Sequence, residues 1–258
     1  MIVTTEAVVL RAMKYRETSK ILTLYTRSFG KLSVIAKGAR GPKSKFGAAL
    51  EPMTYVTAVI YKNENRELHL LSQCDSISSF RRLSESIEWM SAALSVIELV
   101  DSVTHAEERN ESLFQALVRT LEVMNNATKN AQNALYLFEI RLLDIIGVGP
   151  NFHVCCQCLA PVIDPKAGGT SGSHFRLGYG GILCGLCSTK GIGYGTLSVP
   201  AVKVLQHLQD IGDFELATNM SLSSQVRSEV GEALRRYMQN HVDGFRSLKS
   251  EAVFTAIS

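Results

Sequence analysis

The stretch Thr18–Lys37, TSKILTLYTRSFGKLSVIAK, decides how the first part of this chain folds. Leu32, Val34 and Ala36 alternate with Lys31, Ser33 and Lys37, the period-two pattern of a strand with one buried face and one wet, positive face. Phe29-Gly30-Lys31 makes a tight turn ahead of it, with Gly30 free to take a positive φ. The run near residues 20–27, rich in Ile, Leu, Thr and Tyr, reads as its hairpin partner. Working outward, the segments near 3–12, 53–62 and 66–73 share that β-branched and aromatic content. Five short strands within about 75 residues suit a small closed barrel, which removes exposed sheet edges, and the OB-fold is the commonest of these.

From about residue 83 the apolar period changes from 2 to 3.6. Ile87, Met90, Leu94, Ile97 and Val100 fall on one helical stripe, Leu113, Leu117, Leu121 and Met124 on a second, and Leu135, Phe138, Leu142 and Ile145 on a third. Gly147 and Pro150 end the third helix. A loop-rich insert at 151–195 precedes two further helices, Val202 to Leu208 and Val226 to Met238. The expected fold class is therefore α+β and multidomain, an N-terminal OB-fold β-barrel followed by a helical bundle that carries a four-cysteine zinc-ribbon insert. The expected boundaries are 1–80 for the barrel, 81–243 for the helical domain with its insert at 151–195, and a loose tail at 244–258.

The insert holds Cys155-Cys156-Gln157-Cys158 and Cys184-Gly185-Leu186-Cys187. Two C-x2-C knuckles at this separation supply the four thiolates of a tetrahedral structural zinc site, Cys155, Cys158, Cys184 and Cys187. Cys156, adjacent to the first of them, is an alternative ligand. A thioredoxin-like dithiol needs a βαβ setting that is missing here. A catalytic zinc of the deaminase kind needs H-x-E ahead of C-x-x-C, whereas His153 is followed by Val154 and Cys155. Cys74, at a strand end, reads as a small buried hydrophobe.

The formal charge of +3 on 258 residues conceals a division. Residues 1–82 carry fourteen Lys and Arg against six Asp and Glu, a net +8, and the remainder is −5. Within residues 11–45 stand Arg11, Lys14, Arg16, Lys20, Arg27, Lys31, Lys37, Arg40, Lys43 and Lys45 against Glu17 alone. Such a stretch points to a polyanionic partner, with Tyr15, Tyr25, Phe29 and Phe46 lying among the charges. Gly38–Lys45 is no Walker loop, because Pro42 stands where glycine must precede Lys-Ser. His69, His105, His207 and His241 are isolated, and no constellation resembles an active site. The N-terminal segment MIVTTEAVVLRAM reads as a strand and not as a signal peptide, so a cytoplasmic protein with reduced thiols is expected.

Tyr15-Arg16-Glu17-Thr18-Ser19-Lys20-Ile21-Leu22-Thr23-Leu24-Tyr25-Thr26-Arg27 with Phe29-Gly30-Lys31, and then Ala36–Pro52, AKGARGPKSKFGAALEP, resemble the N-terminal signature of the bacterial RecO family. The resemblance covers nearly the whole chain. It implies a non-enzymatic, nucleoid-associated mediator of recombinational repair that binds single- and double-stranded DNA and anneals complementary strands. It further implies binding to RecR and to the acidic tail of the single-stranded DNA-binding protein SSB. Such proteins help load RecA onto coated strands, in some cases with RecF. Lys20, Arg27, Lys31, Lys37, Arg40, Lys43 and Lys45 match the signature and inherit a DNA-contact role; Arg11, Lys14 and Arg16 join them on charge alone. Zinc ligation carries over to Cys155, Cys158, Cys184 and Cys187, and Cys156 departs from the usual first knuckle. The rival reading is a zinc-ribbon transcription or translation factor with an RNA-binding OB domain.

Overall fold

The structure is a computed structural model, and it describes residues 1–42, 44–63, 65–163, 175–189, 193–242 and 245. The chain divides into two compact units, the first running from Met1 to Asn126 and the second starting at Ala127. The first contains the barrel: β1 (Ile2–Tyr15), β2 (Ser19–Thr26), β3 (Gly30–Ala36), β4 (Tyr55–Tyr61) and β5 (Leu68–Ser78). They close in the order β1-β2-β3-β5-β4, with β3 and β5 parallel and all other pairs antiparallel. This is the five-stranded OB arrangement expected from the alternating pattern. Leu22, Leu24, Leu32, Val34, Val56, Ala58 and Ile60 face inward and are fully or almost fully buried. The turn at Phe29-Gly30 has Gly30 at φ +64, where its missing Cβ also lets the backbone of Glu108 approach.

Two helices complete this unit, α1 (Ile87–Val103) and α2 (Glu111–Asn126). The second follows its predicted stripe, with Leu113, Leu117, Leu121 and Met124 all buried. On α1 the buried face differs from the expected one. Ile87 is 62% exposed, and Ala92, Ala93, Val96, Leu99 and Val100 form the buried surface together with Ile97. Small residues at 92 and 93 allow close packing there, a preference that counting large side chains overlooks.

The second unit contains α3 (Ala131–Ile145), β6 (Phe175–Gly178), β7 (Gly181–Leu183), the single turn α4 (Gly185–Ser188), β8 (Tyr194–Leu197), α5 (Val199–Asp210), α6 (Phe214–Asn219) and α7 (Ser224–His241). Ser198, Asp213 and Ser223 cap α5, α6 and α7 through their side chains. Gly147, at φ +82, follows the end of α3, as its sequence position suggested. The described residues of the cysteine-bearing insert and its C-terminal edge carry more regular structure than its composition implied. They form a three-stranded sheet, β7-β6-β8, and bury Phe152, Phe175, Leu177, Ile182, Leu183 and Leu197. These apolar residues come singly or in pairs between glycines and polar residues, so no periodic run announced them. The tail expected from residue 244 lies, apart from Phe245, outside the described residues. Among the described residues no helix is long and apolar enough to cross a membrane.

Candidate nucleic-acid interface and metal centre

The ten candidate cations fall into groups that sequence did not separate. At one end of the barrel Lys14 pairs in register with Lys20, and Lys20 with Ala36, which precedes Lys37. Arg16, at φ +51, occupies the tip of the β1–β2 hairpin with its guanidinium 5.3 Å from the Tyr15 ring centroid. The loop after β3 is tied to that tip: the Arg40 backbone N–H donates to Thr18 O at 2.9 Å, and Arg40 Nη1 donates to Arg16 O at 2.9 Å. Lys14, Arg16, Lys20, Lys37 and Arg40 thus converge on one end. Lys20 is bonded to Glu51 at 2.8 Å, while Lys14 and Lys37 are exposed with no acidic partner among the described residues. Lys45 stands beside the Phe46 ring, its Nζ 5.4 Å from the centroid. Lys43 lies outside the described residues.

Three other cations are engaged inside the first unit. Arg27 bonds Glu111 at 2.8 Å and Glu6 at 3.1 Å, and these two carboxylates raise its already high pKa further. Lys31 donates to Asp101 O at 2.7 Å, and Arg11 pairs with the same buried Asp101. Nearby, Lys62 bonds Glu107 at 2.6 Å and holds that carboxyl below its ordinary range, with the Glu107–His69 contact at 3.3 Å adding to the effect. These acids lie 38 to 90 residues from their partners in sequence, Glu6 of the Arg27 pair excepted, so no local signal marks the pairings. Tyr25 and Phe46 are almost wholly buried, and burial with the nearby Glu108 pushes the Tyr25 hydroxyl up to about 12. Those two rings belong to the interior.

In the insert, Cys155, Cys158, Cys184 and Cys187 are brought together, with their Sγ atoms all within 4.8 Å of one another. Cys158 Sγ and Cys184 Sγ are 3.8 Å apart. A tetrahedron with metal–sulfur distances of about 2.3 Å has edges of about 3.8 Å, so the four thiols match the size of a zinc site. The first knuckle turns at Leu159, at φ +61, whose N–H donates to Cys155 O. In the second, Cys184 precedes α4, and its backbone N–H points at Cys155 Sγ at 3.3 Å. Burial opposes ionisation of Cys155, but backbone donors from Cys184, Cys158 and Gln157 outweigh it and bring the thiol down to about 6. Burial and hydrogen bonds to the other three thiols push Cys187 up to about 12. Four thiols gathered this closely repel one another as thiolates, and a bound cation would stabilise all four together.

Cys156 is outside the cluster. Its N–H donates to Ile182 O, and its Sγ lies against Gly178, on the β6 side of the knuckle. Cys74 is buried and its thiol is pushed up to about 12 by burial and by Asp75, the behaviour of a small core residue.

A closed five-stranded OB barrel with a cationic end, a helical body and a four-cysteine cluster able to hold a metal ion defines the class of the protein. The family model for the N-terminal part of recombination protein O matches residues 1–80, and that for its C-terminal part matches residues 84–251. The chain belongs to the RecO family of DNA repair and recombination proteins. It is 30% identical over 246 residues to the DNA repair protein RecO of Symbiobacterium thermophilum, covering 95% of this chain and 94% of that one. With the RecO of Alkaliphilus metalliredigens it shares 31% over 253 residues, covering 96% and 98%. With that of Chloroherpeton thalassium it shares 29% over 258, covering 100% and 99%.

Proposed function

We propose that the chain is a non-enzymatic recombination mediator. It holds single- and double-stranded DNA at the cationic end of its barrel and anneals complementary strands. With RecR, and in some settings RecF, it helps load RecA onto strands coated by SSB, in the bacterial cytoplasm at the nucleoid. The observation that carries this reading is the joining of the β1–β2 hairpin to the loop after β3 by Arg40, which gathers Lys14, Arg16, Lys20 and Lys37 at one end. Annealing requires two polyanions to be held side by side, so phosphates must be neutralised while bases stay free to pair. Lysines and arginines on a hairpin tip and a glycine-bearing loop suit that requirement. Arg11, Arg27 and Lys31 contribute less in this reading, because acids of the same unit already neutralise them.

We further propose that Cys155, Cys158, Cys184 and Cys187 hold one structural Zn2+, which would fix the two knuckles by thiolate bonds and offer no reactive position. The net −5 of the chain beyond residue 82 suits protein partners better than DNA.

The test is annealing of complementary oligonucleotides already coated with SSB, with and without RecR. Acceleration is expected from the wild type and is expected to fall at least tenfold when Lys37, Arg40 and Lys43 are reversed to Glu. Absence of acceleration, or acceleration indifferent to those reversals, would refute the proposal. An RNA-binding factor would instead favour RNA over DNA of equal sequence and anneal neither.

A further inference from the structure

The four thiols that converge in the insert are not equally accessible. Cys155, Cys184 and Cys187 are buried, whereas Cys158 is exposed. It stands at the turn of the first knuckle, beside Leu159, which is 74% exposed at φ +61. Leu186, between the two cysteines of the second knuckle, is 83% exposed, and Gln157 and Ala160 are exposed as well. Residues 154–162 and 181–189 contain no Lys, Arg, His, Asp or Glu. The knuckles therefore offer nothing that would draw in a polyanion, and nothing that would repel a small neutral molecule from the one exposed sulfur.

That sulfur has a partner within reach across the two knuckles, Cys184 Sγ at 3.8 Å. A disulfide bond is about 2.05 Å long, so the pair would close by about 1.8 Å. Cys184 is placed to move, because it is the extended residue ahead of α4, at φ −66 and ψ 165. Cys187, by contrast, is fixed within that helical turn. Cys155 is fully buried, and its Sγ accepts the Cys184 N–H at 3.3 Å. Cys156 lies outside the cluster, with its Sγ against Gly178.

We infer that Cys158 is a site of oxidation by peroxides, with Cys184 as the thiol that resolves it, so that oxidants open the metal centre and thiols restore it. The inference rests on the reading of the four cysteines as zinc ligands. The Cys158 thiolate attacks one oxygen of hydrogen peroxide, the O–O bond breaks, and a sulfenic acid and a hydroxide form. The Cys184 thiolate then attacks that sulfur, a disulfide forms and a second hydroxide leaves. The two thiolates together give up two electrons. Peroxide takes them and becomes two hydroxides, which protons from solvent convert to water. Cys155 and Cys187 alone are too few to keep the ion. A dithiol reductant returns both thiols by exchange. Phe175, Leu177 and Leu197 stay buried under β6 and β8, so the change is confined to the knuckles.

The full chain, reduced and then freed of reductant, should be treated with hydrogen peroxide while a zinc-sensitive dye follows release of the ion. Its cysteines are then alkylated and their peptides mapped by mass spectrometry. The bound zinc is expected to leave, with Cys158 and Cys184 the first pair protected from alkylation and joined in one disulfide. Dithiothreitol with added zinc should restore the bound ion. Cys158→His keeps a fourth ligand, since three cysteines and one histidine also hold zinc, but removes the sulfur that peroxide attacks. It should slow release at least tenfold, and Cys156→Ser should leave the rate within twofold of the parent. Zinc retained at a large excess of peroxide, or a first disulfide other than Cys158–Cys184, would overturn the inference and leave the zinc reading standing. A reduced chain that holds no zinc would refute both. Should Cys158→His fail to fold or to bind zinc, the map of the parent chain still decides.

Discussion

At Gly30 a Cβ would overlap the backbone of Glu108, and the residue sits at φ +64. Gly30→Ala should therefore destabilise the first unit by about 3 kcal/mol, combining left-handed strain with forced displacement of the neighbouring chain; the urea midpoint measures it. At the cysteines the expected result is chemical. Cys184→Ser should abolish binding of one zinc per chain, and Cys156→Ser should leave metal content unchanged, both checked by elemental analysis of purified protein. The C-x2-C spacing identified this cluster because its members must converge whatever the fold. The cations were harder to distinguish. Arg27 and Lys37 look equivalent in sequence, yet Arg27 is held between Glu6 and Glu111 while Lys37 has no acid beside it among the described residues. Only the folded chain provides those carboxylates.

Among the elements, β1 to β5 were readable because alternation with a period of two can be satisfied only by a sheet with one buried face. α6 was not, since its six residues are too few for a helical period to register. The connection 104–110 and the helices flanking it are part of the barrel's support. Ala106 bridges to Lys31, the Glu107 N–H donates to Lys31 O, and the rings of Tyr25 and Tyr55 meet Phe114 on α2. A fragment ending at residue 126 should consequently melt cooperatively, and one ending at residue 80 should not, as judged by circular dichroism. The ion pairs of this region also set an acid limit. Lys62 holds the Glu107 carboxyl below its ordinary value of 4.5, and Arg27 does the same to Glu111. A depressed folded-state pKa contributes stability in full above the unfolded value and loses it as pH falls further. Urea midpoints should decline as pH drops below about 4.5, and Glu107→Gln with Glu111→Gln should flatten that decline. In the insert, the buried apolar residues of β6, β7 and β8 suggest a different response to chelation: helical signal should persist, and new protease cuts should be confined to the knuckles.

For the molecule as a whole, the division into a +8 segment and a −5 remainder predicts strongly salt-dependent DNA binding. With about six phosphates neutralised, single-strand affinity should fall roughly 300-fold between ~50 and ~200 mM salt. Reversing Lys37 and Arg40 should lower the logarithmic slope by about 0.7 for every phosphate that is no longer neutralised. Reversing Arg11 and Lys31 should alter stability more than slope, because both engage the buried Asp101. By itself the sequence determined the barrel, the change to helices, the thiol cluster and the cationic excess of the barrel segment. Each depends on local period, on spacing between knuckles or on composition, which exist before folding. Tertiary structure decided which cations remain available, which face of α1 is buried, and that Met13, Ile21, Ile35, Leu70, Tyr61 and Ile2 share one row. Those outcomes depend on register between strands distant in sequence and on acids supplied by remote segments, and both come into being only when the barrel closes.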